Sequence, residues 1–236
     1  MSANHETKHL TLPVSCLAEY ATGGSRSRTS ILRPYKFRKD GEGHARTTFY
    51  PPVLTAIRKF YKSGKKQNVL DEAIRDWEKR AEATENKALK TKLRGDAKAL
   101  QSFRKLYGAR DFMILPTHRI TYRIGNITWK AAPDLWVREN GIEVLIKVGF
   151  ASKTRSYTDV LLAVIRSAAL LNKHRVRREN AVYLDARTGE ERFCRFPISR
   201  LRHTLLAASR EIANIWDRVT PASTTTKTMR AAAGTS

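Results

Sequence analysis

Apolar positions in the first hundred residues recur three and four apart, the spacing that places side chains on one stripe of a helix. The stretch Val14–Tyr20 reads as a short helix closed by Gly23-Gly24, while residues 1–11 are polar and are expected to fray. After Pro51-Pro52, the positions Val53, Leu54, Ile57, Phe60 and Tyr61 form one stripe that ends at Gly64. A second stripe, Leu70, Ala73, Ile74 and Trp77, predicts a helix over 69–83, and Leu89, Leu93, Leu100, Phe103 and Leu106 predict a charged helix over 86–107 stopped by Gly108. The pattern then switches to alternation. Strands are expected over 119–124, 127–130, 135–138 and 142–150, with Gly125-Asn126 and Asn140-Gly141 as two-residue hairpin turns, so that a β-meander fills 118–150. A largely apolar helix over 156–171, a hairpin joining 181–185 to 191–196, and an amphipathic helix over 199–217 follow. The fold class is therefore α/β in the α+β sense. A basic, mainly helical region occupies 1–84, a mixed core 85–218, and a Thr- and Ala-rich tail, expected to be disordered, 219–236.

Charge changes the picture from a fold to a class of partner. The chain carries 45 Lys and Arg against 22 Asp and Glu, a formal net charge of +23 over 236 residues. A surface so unbalanced repels itself, and its usual counterpart is a polyanion whose condensed counterions are released on contact. Nucleic acid is the expected partner, DNA ahead of RNA. A membrane is not expected, since no lipidation signal or run of 18 apolar residues accompanies the basic segments. The only cysteines, Cys16 and Cys194, lie far apart without a CxxC pattern, which argues against a disulfide framework or a structural zinc site. With no apolar leader after a basic start, the expected location is cytoplasmic, with nucleoid association in keeping with the charge.

The chemistry-bearing residues gather around the strand Ile142–Val148. Its even positions are apolar and are expected to face the core, which leaves Glu143, Leu145 and Lys147 on the opposite face. Pro133-Asp134 lies just upstream across the Asn-Gly turn, where the proline bends the strand and presents the aspartate beside its neighbour. In order and spacing, the segment 85–217 resembles the PD-(D/E)XK nuclease superfamily, the restriction-endonuclease-like fold. Pro133-Asp134 matches the first half of that motif and Lys147 its lysine, and Tyr183–Gly189 is similar to a hairpin of RecB-type nucleases. The resemblance implies a core of helix, three-stranded meander, helix and strand. It also implies a Mg²⁺ ion held by carboxylates, with Asp134 and Lys147 as catalytic residues.

Leu145 stands where that family has its second acid, and leucine offers a cation no oxygen. Glu143, on the same face two residues away, is the candidate replacement, as a catalytic residue and, with Asp134, as a metal ligand. A Leu145→Glu change would put a carboxylate on the face of Lys147. Lys147 as an edge gatekeeper and Asp134 as a turn residue are the plain structural readings. Basic residues expected to contact phosphates are Arg26, Arg28, Arg33 and Lys36, where Tyr35 and Phe37 interleave in an arm or loop over 25–46. Lys153, Arg155, Arg166, Lys173, Arg175, Arg177 and Arg178 flank the motif. For each of these, a solvated surface charge is the competing reading. Three functions follow: a nucleic-acid-binding protein on a nuclease-like fold with impaired catalysis; an active Mg²⁺-dependent nuclease with a relocated acid; or a basic DNA-packaging or assembly protein.

Overall fold

The computed structural model describes residues 10–24, 28–37, 50–116, 120–149, 153–174, 176–186 and 188–221. In chain order these form β1 (Leu10–Pro13), α1 (Val14–Thr22), α2 (Arg28–Lys36), α3 (Tyr50–Lys62), α4 (Gln67–Ala83) and α5 (Lys87–Tyr107). Then come β2 (Met113–Ile114), β3 (Thr121–Ile124), β4 (Ile127–Lys130), β5 (Leu135–Glu139), β6 (Ile142–Gly149), α6 (Arg155–Leu171), β7 (Ala181–Asp185), β8 (Glu190–Phe193) and α7 (Ile198–Ile215). The class is mixed α/β, with a five-stranded sheet in the order β2-β5-β6-β7-β8 and a three-stranded sheet in the order β1-β4-β3. β6 and β7 run parallel through the α6 crossover, and the other pairs of the larger sheet are antiparallel. No described helix is long and apolar enough to cross a membrane.

Local chemistry accounts for several of the boundaries. Asn86 caps α5, its side-chain oxygen accepting from the backbone N–H groups of Ala88 and Leu89 at 3.0 and 3.1 Å. Asn140 and Gly141 both take positive φ, 49° and 79°, as a primed hairpin turn requires, and so set the register of β5 against β6.

The larger sheet is covered on both faces. Leu135, Val137, Val144, Ile146, Val148, Val182 and Leu184 pack into one apolar cluster with Val53, Ile57 and Phe60 of α3, Leu70 and Trp77 of α4, and Leu93 and Phe103 of α5. Trp136, Leu145, Ala181 and Tyr183 point the other way, into a cluster with Leu17 and Tyr20 of α1, Leu161 and Ile165 of α6, and Leu205 and Ile212 of α7. The first 84 residues thus serve both layers: α1 and α2 pack on one face of the sheet, α3 and α4 on the other. Val219, just beyond α7, is buried in the cluster with α1, α6 and α7, and the tail from 222 onward lies outside the described residues.

Three expectations need correction. The meander over 118–150 is divided between two sheets: β4 pairs with β1 on one side and β3 on the other, and β5 and β6 belong to the larger sheet. Ala131 N–H still donates to Ile120 O at 2.8 Å, whereas Asp134 N–H donates to Ile146 O at 3.0 Å. Pro133, which has no N–H to continue a ladder, stands at the crossing. Of residues 1–11, expected to fray, Leu10 and Thr11 instead belong to β1, parallel to β4, where Leu12 is buried, and 1–9 lie outside the described residues. The basic stretch 25–46, expected as an arm or loop, is helical over Arg28–Lys36 because Ile31 and Leu32 are drawn into the cluster with α1, α6 and α7; 38–49 lie outside the described residues.

One acid is held against its nature. Asp96 is 1% exposed on the buried face of α5 with Ala99, Leu100 and Phe103, and its Oδ1 has no hydrogen-bond partner among the described residues. Burial pushes its carboxyl up to about 7, and only the charge of Lys92 opposes the shift. Between the ordinary aspartate value and about 7, the folded state keeps a proton that the unfolded chain releases. Stability should therefore fall as pH rises through that window, by up to about 1.4 kcal/mol per pH unit. Urea denaturation at pH 5 and pH 8 tests this, and Asp96→Asn should flatten the dependence.

Candidate functional site

The β5–β6 register, Leu135 opposite Ile146, sets Asp134 beside Lys147 on one face. Lys147 Nζ donates to Asp134 Oδ1 at 2.7 Å, and the backbone N–H of Val148 donates to Asp134 Oδ2 at 2.8 Å. Arg58, on α3, donates to the Asp134 carbonyl at 3.0 Å. The structure thus brings together the two residues that the motif pairs, while Val144 and Ile146 are buried on the opposite face. It also shows the carboxylate fully engaged by its own strand partner. Asp134→Ala should cost about 1–3 kcal/mol, because it orphans both the Val148 N–H and a partly buried ammonium. Lys147→Met should cost less. A double-mutant cycle by urea denaturation is expected to give a coupling of about 1 kcal/mol, and zero coupling would mean the pair adds nothing to the fold.

The remaining motif positions do not converge on this pair. Leu145 is 1% exposed, opposite Trp136 on β5 and Ala181 on β7, where it fills the apolar layer beneath α1 and α6. Glu143 stands four residues from Lys147, roughly 13 Å along the strand. Its Oε2 accepts from Trp136 Nε1 at 3.1 Å and lies 3.2 Å from His174 Nδ1, while Arg138, its cross-strand neighbour, is 3.7 Å from Oε1. Glu143 therefore pins the His174 turn to the sheet. Its carboxylate does not converge on the Asp134–Lys147 pair. No group of three or more His, Cys, Asp or Glu that could hold a metal ion occurs among the described residues. The donor set around Asp134 does not fit a Mg²⁺ ion: one carboxylate with both oxygens taken, next to a buried leucine.

At the same end of the sheet, charges are matched in pairs. Lys153 donates to Glu19 Oε1 of α1 at 2.6 Å, and Tyr35 donates to the other oxygen at 3.1 Å. Arg192 of β8 clasps Glu190 with two hydrogen bonds, 3.0 and 2.9 Å, which hold that carboxyl below its usual range, and also donates to the Lys153 carbonyl at 2.6 Å. Asp185 ends β7 buried, next to Gly149. A side chain at Gly149 would run into the Tyr183 hydroxyl, so glycine is what lets that ring cross β6.

The expected phosphate contacts divide into two groups. Arg28 donates to Tyr20 O, Arg33 to Thr220 O at 2.9 Å, and Lys36 to Trp216 O at 2.6 Å, so these three tie α2 to α1 and to the segment after α7. Such hydrogen bonds satisfy backbone carbonyls near helix ends and in the segment after α7, a structural use of basic side chains. Arg166 donates to Val176 O at 2.9 Å, and Arg177 lies 4.0 Å from Glu179. Arg155, Lys173, Arg177 and Arg178 are exposed, whereas Arg26 and Arg175 lie outside the described residues.

Sequence reading missed Arg195, Phe196 and Arg200, on the connection from β8 to α7. The arginines lie 4.9 and 4.4 Å from the centre of the Phe196 ring. The available signal was an aromatic residue flanked by arginines in Arg195-Phe196-Pro197-Ile198-Ser199-Arg200. Compared with known proteins, the chain matches no family model and no curated protein.

Proposed function

We propose that this protein binds nucleic acid through the phosphate backbone, on a PD-(D/E)XK nuclease-like fold whose hydrolytic centre is incomplete. The observation that carries the reading is the excess of 45 cations over 22 acids, a net +23. Even with each of the 22 acids paired to a cation, 23 cations would be left over, and a polyphosphate is the partner that offsets them with a gain in counterion entropy. The absence of hydrolysis rests on Leu145 and on the closed Asp134–Lys147 pair, since the carboxylate that would share a cation with Asp134 is replaced by a buried alkyl group. Support for the fold comes from the order of elements: helix α5, the β5–β6 hairpin, the α6 crossover and parallel β7. Filter binding of DNA and RNA across a salt series, with and without Mg²⁺, tests the reading. Retention at low salt with intact nucleic acid is expected, and a failure to bind at low salt overturns it.

A further inference from the structure

The paired charges around Asp134 contrast with those on the β8–α7 connection. There, Cys194 N–H donates to Ala181 O at 3.0 Å, which sets the connection at the start of β7, the opposite end of the sheet from Asp185 and Glu190. Cys194 is buried, with Arg166, Arg178 and Asp159 close enough to act on its thiol electrostatically. Arg195 is held by Asp159 through two hydrogen bonds, 3.2 and 2.6 Å, and its own carbonyl accepts from Arg178 Nη1 at 3.5 Å. Arg195 and Arg200 both lie over Phe196. Arg200 is exposed and has no acid partner among the described residues; nor does Arg178. Arg166 and Arg178 thus lie near the Cys194 thiol, Arg195 and Arg200 lie over the Phe196 ring, and of these four arginines only Arg195 is bonded to a carboxylate among the described residues, that of Asp159.

The fold gains little from this arrangement. Gathering like charges costs repulsion. Arg200 also sits in the first turn of α7, a turn without acidic residues whose Pro197 cap supplies no side-chain hydrogen bond. Cations at that end oppose the helix dipole instead of complementing it. What the arrangement does provide is orientation: a guanidinium resting on an aromatic ring has less rotamer freedom to lose, and its planar fork matches two phosphate oxygens.

We infer that the Phe196-centred cluster of Arg178, Arg195 and Arg200 is the surface that grips the nucleic-acid backbone, and that the Asp134–Lys147 end of the sheet is not. This rests on the nucleic-acid-binding reading above and gives it an address. Arg178 and Arg200, which have no acid partner among the described residues, contact phosphates directly. Arg195, fixed by Asp159, braces the ring and sets the spacing between them. Contact is with the backbone and independent of base sequence.

The test compares two doubly substituted proteins with the same loss of charge by fluorescence anisotropy, using a labelled oligonucleotide over a range of salt. Arg178→Gln with Arg200→Gln removes the two direct contacts. Lys87→Gln with Lys98→Gln, on the exposed side of α5, is the control. The first pair should lower affinity about tenfold or more and reduce the slope of log affinity against log salt by about 2, while the control leaves the slope nearly unchanged. Phe196→Leu keeps the charge and should weaken binding with the slope preserved. Equal slopes for the arginine variant and the control would overturn the inference and leave the binding reading standing. An unaltered protein that binds nothing at low salt would remove both. All the substituted side chains except Phe196 are exposed, so unchanged thermal melts of the two double variants separate lost contacts from lost folding.

Discussion

Leu145→Glu is expected to lower stability by about 3 kcal/mol or more and to build no metal site, because the new carboxylate would enter an apolar layer instead of an open cleft. Leu145 is 1% exposed and belongs to the cluster that contains Trp136, Tyr183 and the buried side of α6. Lys147, the nearest cation on that face, already donates to Asp134 at 2.7 Å. A buried glutamate takes a proton more readily than an unfolded one, so its pKa rises and the folded state holds a proton over a window that the unfolded chain leaves. The penalty should therefore be larger at pH 8 than at pH 5. Leu145→Met, similar in volume, should cost less than about 1.5 kcal/mol. Urea denaturation with and without Mg²⁺ distinguishes the outcomes. A variant as stable as the native chain, or one that Mg²⁺ stabilises, would show that the cleft can open to admit a cation.

Affinity for DNA should fall linearly on a log–log plot as salt rises. If six to ten phosphates are contacted, the loss between 50 and 200 mM salt would be about 10³–10⁵-fold. The magnitude follows from counterion release: each neutralised phosphate frees most of one condensed cation, and that entropy gain shrinks as bulk salt increases. Several cations are already spent within the fold. Arg28, Arg33 and Lys36 are occupied by backbone carbonyls, and Lys153 and Arg192 by Glu19 and Glu190, so replacing these should disturb folding more than the salt slope. Mg²⁺ should weaken binding as a competing counterion and produce no cleavage. A shallow slope with strong binding would point to base or shape recognition in place of the backbone. Metal-dependent cleavage by the native chain would restore the nuclease reading.

Much of the architecture was legible because periodicity is a local property. The change from a helical period to alternation after Gly108, the Asn140-Gly141 turn and the helix boundaries around Asn86 each depend on residues a few positions apart. The juxtaposition of Asp134 with Lys147 was legible for the same reason: a two-residue turn dictates the register of its hairpin, and register dictates which side chains share a face. What covers each face is a different matter, since it depends on elements distant in sequence. Alternation placed Leu145 on the face of Lys147, but only the arrival of α1 and α6 made that position a core site. Glu143 reads as a free acid until His174, Trp136 and Arg138 are brought to it. β1 becomes a strand only by pairing with β4, and that distant partner also helps draw β3 and β4 away from β5. Charge shows the same division: the excess of cations is written in the composition, whereas which of them are spent on carbonyls and carboxylates, and which remain exposed beside Phe196, is decided by three-dimensional proximity, because a cation's partner need not be near it in sequence.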